Sequence, residues 1–109
     1  MLFSSAAILT LSLAATTVPS TQSGDDIYSE CTAPAGEEYR HIFCYGYIDG
    51  VADAMAGNAI NGYMACIPMG VGGGRFDVVI QFLRANPAKR HLAAAGLVAR
   101  ALSDAYPCR

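Results

Sequence analysis

Between Pro34 and Pro68 the chain runs without a proline, and within this gap lies the stretch Tyr39–Cys66, YRHIFCYGYIDGVADAMAGNAINGYMAC. It is the segment to which every other part must be fitted. Ile42, Tyr45, Ile48, Val51 or Ala52, Met55, Ala59 and Tyr63 recur at steps of three and four, as on one face of an α-helix. Arg40, Asp49, Asp53 and Asn58 fall mainly off that line. The apolar residues do not alternate and the run is too long for one strand, so the segment predicts a long central helix over roughly 38–65. Gly46, Gly50, Ala54 and Gly57 make a second line of small residues along it. Each interior glycine costs about 1 kcal/mol relative to alanine, so the line predicts that another backbone packs closely there.

The residues before this stretch divide in two. Up to about residue 20 there is no charged side chain, and Phe3–Ala15 is an apolar run too short to span a membrane but suited to the hydrophobic region of an export signal. Ser12-Leu13-Ala14 and Val18-Pro19-Ser20 offer small residues for a signal peptidase, although Lys and Arg are missing from the extreme N-terminus. The expectation is a cleaved signal peptide over 1–20 and a single domain over 21–109. A domain of that size has a marginal core, which disulfides often supplement.

Cys31, Cys44, Cys66 and Cys108 fit that need. No C-x-x-C pair occurs and His41 and His91 lie far apart, so the cysteines read as disulfides and no metal or cofactor is expected. Oxidised cysteines in turn imply an oxidising compartment. On one continuous helix Cys44 and Cys66 would be roughly 33 Å apart, against the limit of about 7 Å between bridged Cα atoms, which excludes that pair. Of the two arrangements left, Cys31–Cys44 with Cys66–Cys108 is the simpler, since an antiparallel third and fourth helix return Cys108 towards Cys66.

Around the central segment the pattern predicts further helices. Asp25–Cys31 starts on two acids and carries Ile27, Tyr28 and Cys31 at helical spacing. Pro34 and Gly36 break it, and Glu37 and Glu38 suit the first turn of the next helix. Ile67–Arg75 contains Gly72-Gly73-Gly74 and reads as a loop. Phe76–Ala85 has Phe76, Val79, Ile80 and Leu83 on one side, and after Pro87 the residues Leu92, Ala95, Leu97, Val98, Ala101, Leu102 and Ala105 give the last helix its apolar face. The fold class is therefore all-α: a small disulfide-stapled bundle of about four helices, with the alanine-rich last helix expected against the glycine line.

Net charge is −2, yet it is unevenly spread. Asp25, Asp26, Glu30, Glu37, Glu38, Asp49 and Asp53 face only Arg40 in the first half, whereas the bases Arg75, Arg84, Lys89, Arg90, Arg100 and Arg109 fill the second. Helix-to-helix complementarity within the chain accounts for such a split more simply than a charged partner. The bases are not interleaved with aromatics, which argues against nucleic acid. No nucleophile with a base and an orienter can be assembled, and the glycine loop lacks the G-K-[ST] and G-x-G-x-x-G signatures of nucleotide sites. The expectation is a binding protein with no catalytic residues.

The spacing of several short motifs is similar to that of the Tai, or resistance-associated-protein, family of type VI secretion immunity proteins. Cys44-Tyr45-Gly46-Tyr47-Ile48-Asp49-Gly50-Val51-Ala52-Asp53 resembles its C-x-G-Y-I-x-G-V-x-D signature, Cys66-Ile67-Pro68-Met69-Gly70-Val71 its C-x-P-x-G-V, and Asp77-Val78-Val79 its D-V-V. Pro87 to His91 resembles its P-x-x-R-H, and Ala101 to Cys108 its A-L-x-x-A-F-P-C. The resemblance implies a periplasmic protein, free of the membrane after signal cleavage, that binds and inhibits a peptidoglycan amidase effector delivered by type VI secretion and forms a homodimer, for which the glycine line would serve as well as for an internal crossing. The chain departs from the pattern at Gly72 and Arg75, where the family usually carries Thr and Gln. Blocking a hydrolase cleft needs a narrow projection, which singles out the loop residues Pro68, Met69, Gly70, Val71, Gly72, Gly73, Gly74 and Arg75 as the partner-binding segment, with the Asp49 and Asp53 region next. Read without the resemblance, the same residues suit a small helical periplasmic stress chaperone or envelope scaffold with no toxin partner.

Overall fold

The computed structural model describes residues 21–109. The export signal expected over 1–20 lies outside them. Four α-helices follow in order: α1 (Gly24–Cys31), α2 (Glu38–Ala54), α3 (Gly74–Ala85) and α4 (Ala94–Ala105), with a 3-10 turn at Pro87–Lys89. Among the described residues there is no strand, only isolated bridges between Ser23 and Ala93 and between Ile60 and Tyr63. The all-α class is as expected.

α1 begins on a capping box. The Asp26 amide donates to Ser23 Oγ (3.1 Å) and the Ser23 amide to Asp26 Oδ2 (2.9 Å), so two N–H groups that a helix start leaves unpaired are satisfied reciprocally. The next two are met from the far end of the chain. Gly24 N–H donates to Leu92 O (2.9 Å) and Asp25 N–H to Arg90 O (2.7 Å), while Ala94 N–H donates back to Gln22 O (2.9 Å). This clasp needs close approach: a Cβ on Gly24 would stand 2.5 Å from Leu97 Cδ1 and 2.9 Å from Arg90 O.

The core collects Ile27 and Cys31 of α1, Cys44, Ile48, Val51 and Met55 along α2, Val79 and Leu83 of α3, and Leu97, Val98 and Leu102 of α4. Each large aliphatic side chain fully buried contributes about 1.5–3 kcal/mol. α4 also buries Ala94, Ala99 and Ala101, so it lies deepest of the four. Two disulfides staple the bundle. Cys31–Cys44 joins the end of α1 to α2, and Cys66–Cys108 joins the α2–α3 connection to the C-terminal end. Closing loops of 13 and 42 residues is worth about 3 and about 4 kcal/mol in the chain-entropy model.

Three expectations are corrected. First, the central helix does not run to about residue 65; α2 ends at Ala54. Gly57 (φ +76°), Asn61 (φ +50°) and Gly62 (φ +80°) are left-handed, and Asn61-Gly62 closes a two-residue turn in which Ile60 and Tyr63 exchange both backbone hydrogen bonds (3.0 and 2.9 Å). Asn-Gly is the preferred pair for such a turn, because both central residues need positive φ. The distance argument against a Cys44–Cys66 bridge thus loses its premise, although the pairing it favoured is the one found.

Second, Ile42 and Tyr45 do not join the core: they are 68% and 38% exposed. α2 carries apolar residues on both sides, and the buried line is Cys44, Ile48, Val51 and Met55. Third, the glycine line is not an internal crossing. A Cβ on Gly46 or Gly50 would meet nothing within 4 Å among the described residues, and α4 packs elsewhere. The line faces outward. A smaller shift concerns Pro87, which starts the 3-10 turn and not the first turn of α4.

Candidate functional site

The second half of α2 and the irregular segment after it make the two walls of a cleft of about 600 Å³. Asp49 and Asp53 stand one helical turn apart on the α2 wall, with Ala52 and Ala56 between and beyond them. The opposite wall is Ala65 to Pro68 followed by Gly70 to Gly72, and Arg75 closes one end.

That second wall is held at both ends. At its start Cys66 is bridged to Cys108, and its N–H donates to Tyr106 O (2.8 Å), so the segment is tied to the end of α4 by covalent and hydrogen bonds together. At its finish Arg75 acts as a latch. Its Nε donates to Asp49 Oδ1 (2.6 Å) and one Nη to Asp49 Oδ2 (3.2 Å), a two-pronged arrangement matched to the planar guanidinium. The other Nη donates to Gly72 O. The guanidinium also lies 4.3 Å over the Phe76 ring, and Phe76 stacks on Tyr45 at 4.4 Å. Hydrogen bonding to Asp49 holds the Arg75 guanidinium above its usual pKa range, against a smaller opposing effect of burial. The loop is therefore fixed to α2 by a residue three positions beyond its left-handed Gly72 (φ +57°).

Of the segment singled out by sequence, Pro68, Gly70, Val71, Gly72 and Arg75 line the cleft. Met69 is fully exposed at the loop tip. Gly73 precedes α3 and Gly74 opens it, its N–H donating to Val71 O (3.2 Å). The Asp49 and Asp53 region, the next candidate after the loop in the sequence, lines the same cleft. Arg75 spends its donors inside the chain, on Asp49 and Gly72.

The two histidines are not brought together: His41 lies on α2, its ring 6.4 Å from that of Tyr45, and His91 is exposed after the 3-10 turn. Among the described residues no group of three His, Cys, Asp or Glu side chains is placed to hold a metal ion. Among the described residues two ion pairs bridge the acidic and basic halves, and Arg40 pairs within the acidic half. Arg75 meets Asp49, Arg90 Nε lies 3.2 Å from Asp25 Oδ1, and Arg40 pairs with Glu30 at 3.3 Å. Asp53 is not among these pairs.

The outer face of α2 makes a second surface, of which the sequence reading had the glycine line but not the exposed apolar residues. Tyr39 (70% exposed), Ile42 and Phe43 (47%) lead, at steps of three and four, into the open Gly46 and Gly50. The steps from Tyr39 to Phe43, Gly46 and Gly50 were visible in the sequence; which of the two apolar lines of α2 faced the core was not.

Compared with known proteins, residues 23–108 match the family model described as Rap1a immunity proteins. The match runs from the N-cap of α1 to the last cysteine. Neither curated proteins nor solved structures give a match.

Proposed function

Since the chain belongs to the Rap1a immunity protein family, we propose that it is the antidote, of the Tai type, to a peptidoglycan amidase delivered by type VI secretion. It acts in the periplasm after removal of residues 1–20, by covering the amidase active site. Exposed Cys66 and Cys108 joined in a disulfide support an oxidising compartment. The observation that carries the inhibitory surface is the double anchoring of the Pro68–Arg75 segment. A loop fixed at one end by Cys66–Cys108 and at the other by the Arg75–Asp49 latch loses little conformational freedom on binding, and preorganisation of this kind converts contact into affinity. Met69 at its tip and Val71 beside it supply the apolar contact.

The outward face of α2 supports a homodimer. Tyr39, Ile42 and Phe43 offer apolar area, and Gly46 and Gly50 allow a second α2 to approach closely. A chaperone would also use an exposed apolar face, but on that reading the anchored loop has no role.

Replacing Met69–Gly74 by a serine-rich segment of equal length tests the proposal. The expected result is unchanged helicity and melting temperature, with affinity for the cognate amidase reduced at least tenfold, about 1.4 kcal/mol, and loss of protection when that amidase is directed to the periplasm. Unchanged calorimetric affinity in the folded variant moves inhibition off the loop. Absence of binding by the parent chain defeats the antidote reading altogether.

A further inference from the structure

The last turn of α2 carries an acid and no base. A helix C-terminus carries partial negative charge and favours cations in its last turn, yet the last turn of α2 contains no base and does contain Asp53. Asp49, one turn earlier, has its charge answered by the two-pronged contact from Arg75. Asp53 does not. Among the described residues no Lys, Arg or His nitrogen comes within 4.0 Å of its carboxylate, and it acts on Arg75 only through space. The cleft lip therefore keeps one negative charge, beside a cavity of about 600 Å³ lined at the end of α2 and just beyond it by the small residues Ala52, Ala56 and Gly57.

Small apolar walls leading to an unanswered carboxylate fit one kind of guest. We propose that this cleft receives a lysine or arginine side chain projecting from the partner protein, its aliphatic stem along the alanines and its charged head on Asp53 in a charge-assisted hydrogen bond. Arg75 is a positioning residue in this arrangement: by neutralising Asp49 and holding Gly72 it sets the width of the cleft. The inference rests on the antidote reading only in taking the bearer of the cation to be the amidase.

The test has two arms on the oxidised protein. In the first, the blocked tripeptides Ac-Ala-Lys-Ala-NH2 and Ac-Ala-Arg-Ala-NH2 are titrated against the ¹⁵N-labelled protein, with the glutamate and norleucine peptides as controls. The expected result is saturable, millimolar-range shifts of the amides of residues 52–57 and 65–72 for the basic peptides alone, weakened at least tenfold in Asp53→Asn. Equal response to norleucine, or equal binding by Asp53→Asn, overturns the proposal, as does no response at all. In the second arm, Asp53→Asn and Asp53→Lys are titrated with the cognate amidase. Both are expected to lose at least tenfold in affinity while Asp53→Lys melts no lower than the parent, since a cation suits that helix end. Parent-like affinity of both variants overturns the proposal. An amidase that fails to bind even the parent chain removes the antidote reading, and the peptide arm alone then decides whether the cleft takes a cationic side chain.

Discussion

Gly50→Leu separates two meanings of a glycine in the middle of a helix. If Gly50 were there to let another element of the same chain approach, leucine would overpack the contact and cost about 1–3 kcal/mol. The structure gives the opposite sign for the isolated chain. A Cβ at Gly50 meets nothing within 4 Å, so there is no steric penalty, and replacing glycine by leucine inside α2 relieves about 0.5–1 kcal/mol of helix propensity. At about 4–8 °C per kcal/mol for a domain of this size, the monomer should melt about 2–8 °C higher. In the proposed dimer the same leucine stands in a close crossing of two α2 helices and weakens association by about 1–3 kcal/mol, roughly 5- to 150-fold in dissociation constant. Urea unfolding at dilutions where the parent is monomeric reads the first number, and sedimentation velocity across a concentration series reads the second. A monomer destabilised by more than about 0.5 kcal/mol would show that α2 is packed on that side and that its outward face has been misread. A dimer of unchanged affinity would place the interface elsewhere.

Gly24→Ala is the counterpart at a filled site: its Cβ meets Leu97 and the Arg90 carbonyl, and a loss of about 1–3 kcal/mol in urea unfolding is expected; a neutral result means the clasp between the chain ends is looser than described. Removing one bridge as Cys66→Ser with Cys108→Ser should cost about 4 kcal/mol and lower the melting temperature by roughly 15–30 °C, whereas a drop of only a few degrees would show that the bridge does not limit the unfolded chain. Arg75→Gln should leave the melting temperature almost unchanged but accelerate amide hydrogen exchange at Gly72 to Gly74 several-fold, because the latch holds a loop and not the core; parent-like exchange there refutes the latch.

Much of the fold was legible because it rests on strong local signals. Asp25 and Asp26 mark the start of α1, Pro34 and Pro87 punctuate, and four cysteines in a short chain demand partners. What misled was α2. Spacing alone assigns Ile42 and Ile48 to a single apolar face, and only packing against α1 and α4 decides that Ile48 is buried and Ile42 is not. The sequence reading followed apolar periodicity through Ala59 and Tyr63 and passed over the Asn61-Gly62 turn. The cleft was only half legible. Pro68 to Arg75 stood out by composition, but the latch from Arg75 to Asp49 spans 26 positions, and no local pattern announces a contact of that range.

The clasp between Gln22–Asp25 and Arg90–Ala94 governs the order of events during biogenesis. A polypeptide is completed from its amino end, so the amides that open α1 find their acceptors only after some 65 further residues have followed them. Until then α1 is a marginal peptide, far shorter than a helix that persists alone in water. Cys31 and Cys44 can meet early, but Cys66 must wait for Cys108, 42 positions later. Its thiol neighbours in the meantime belong to the first pair, and the period of greatest risk for a wrong bridge is the interval before Cys108 arrives.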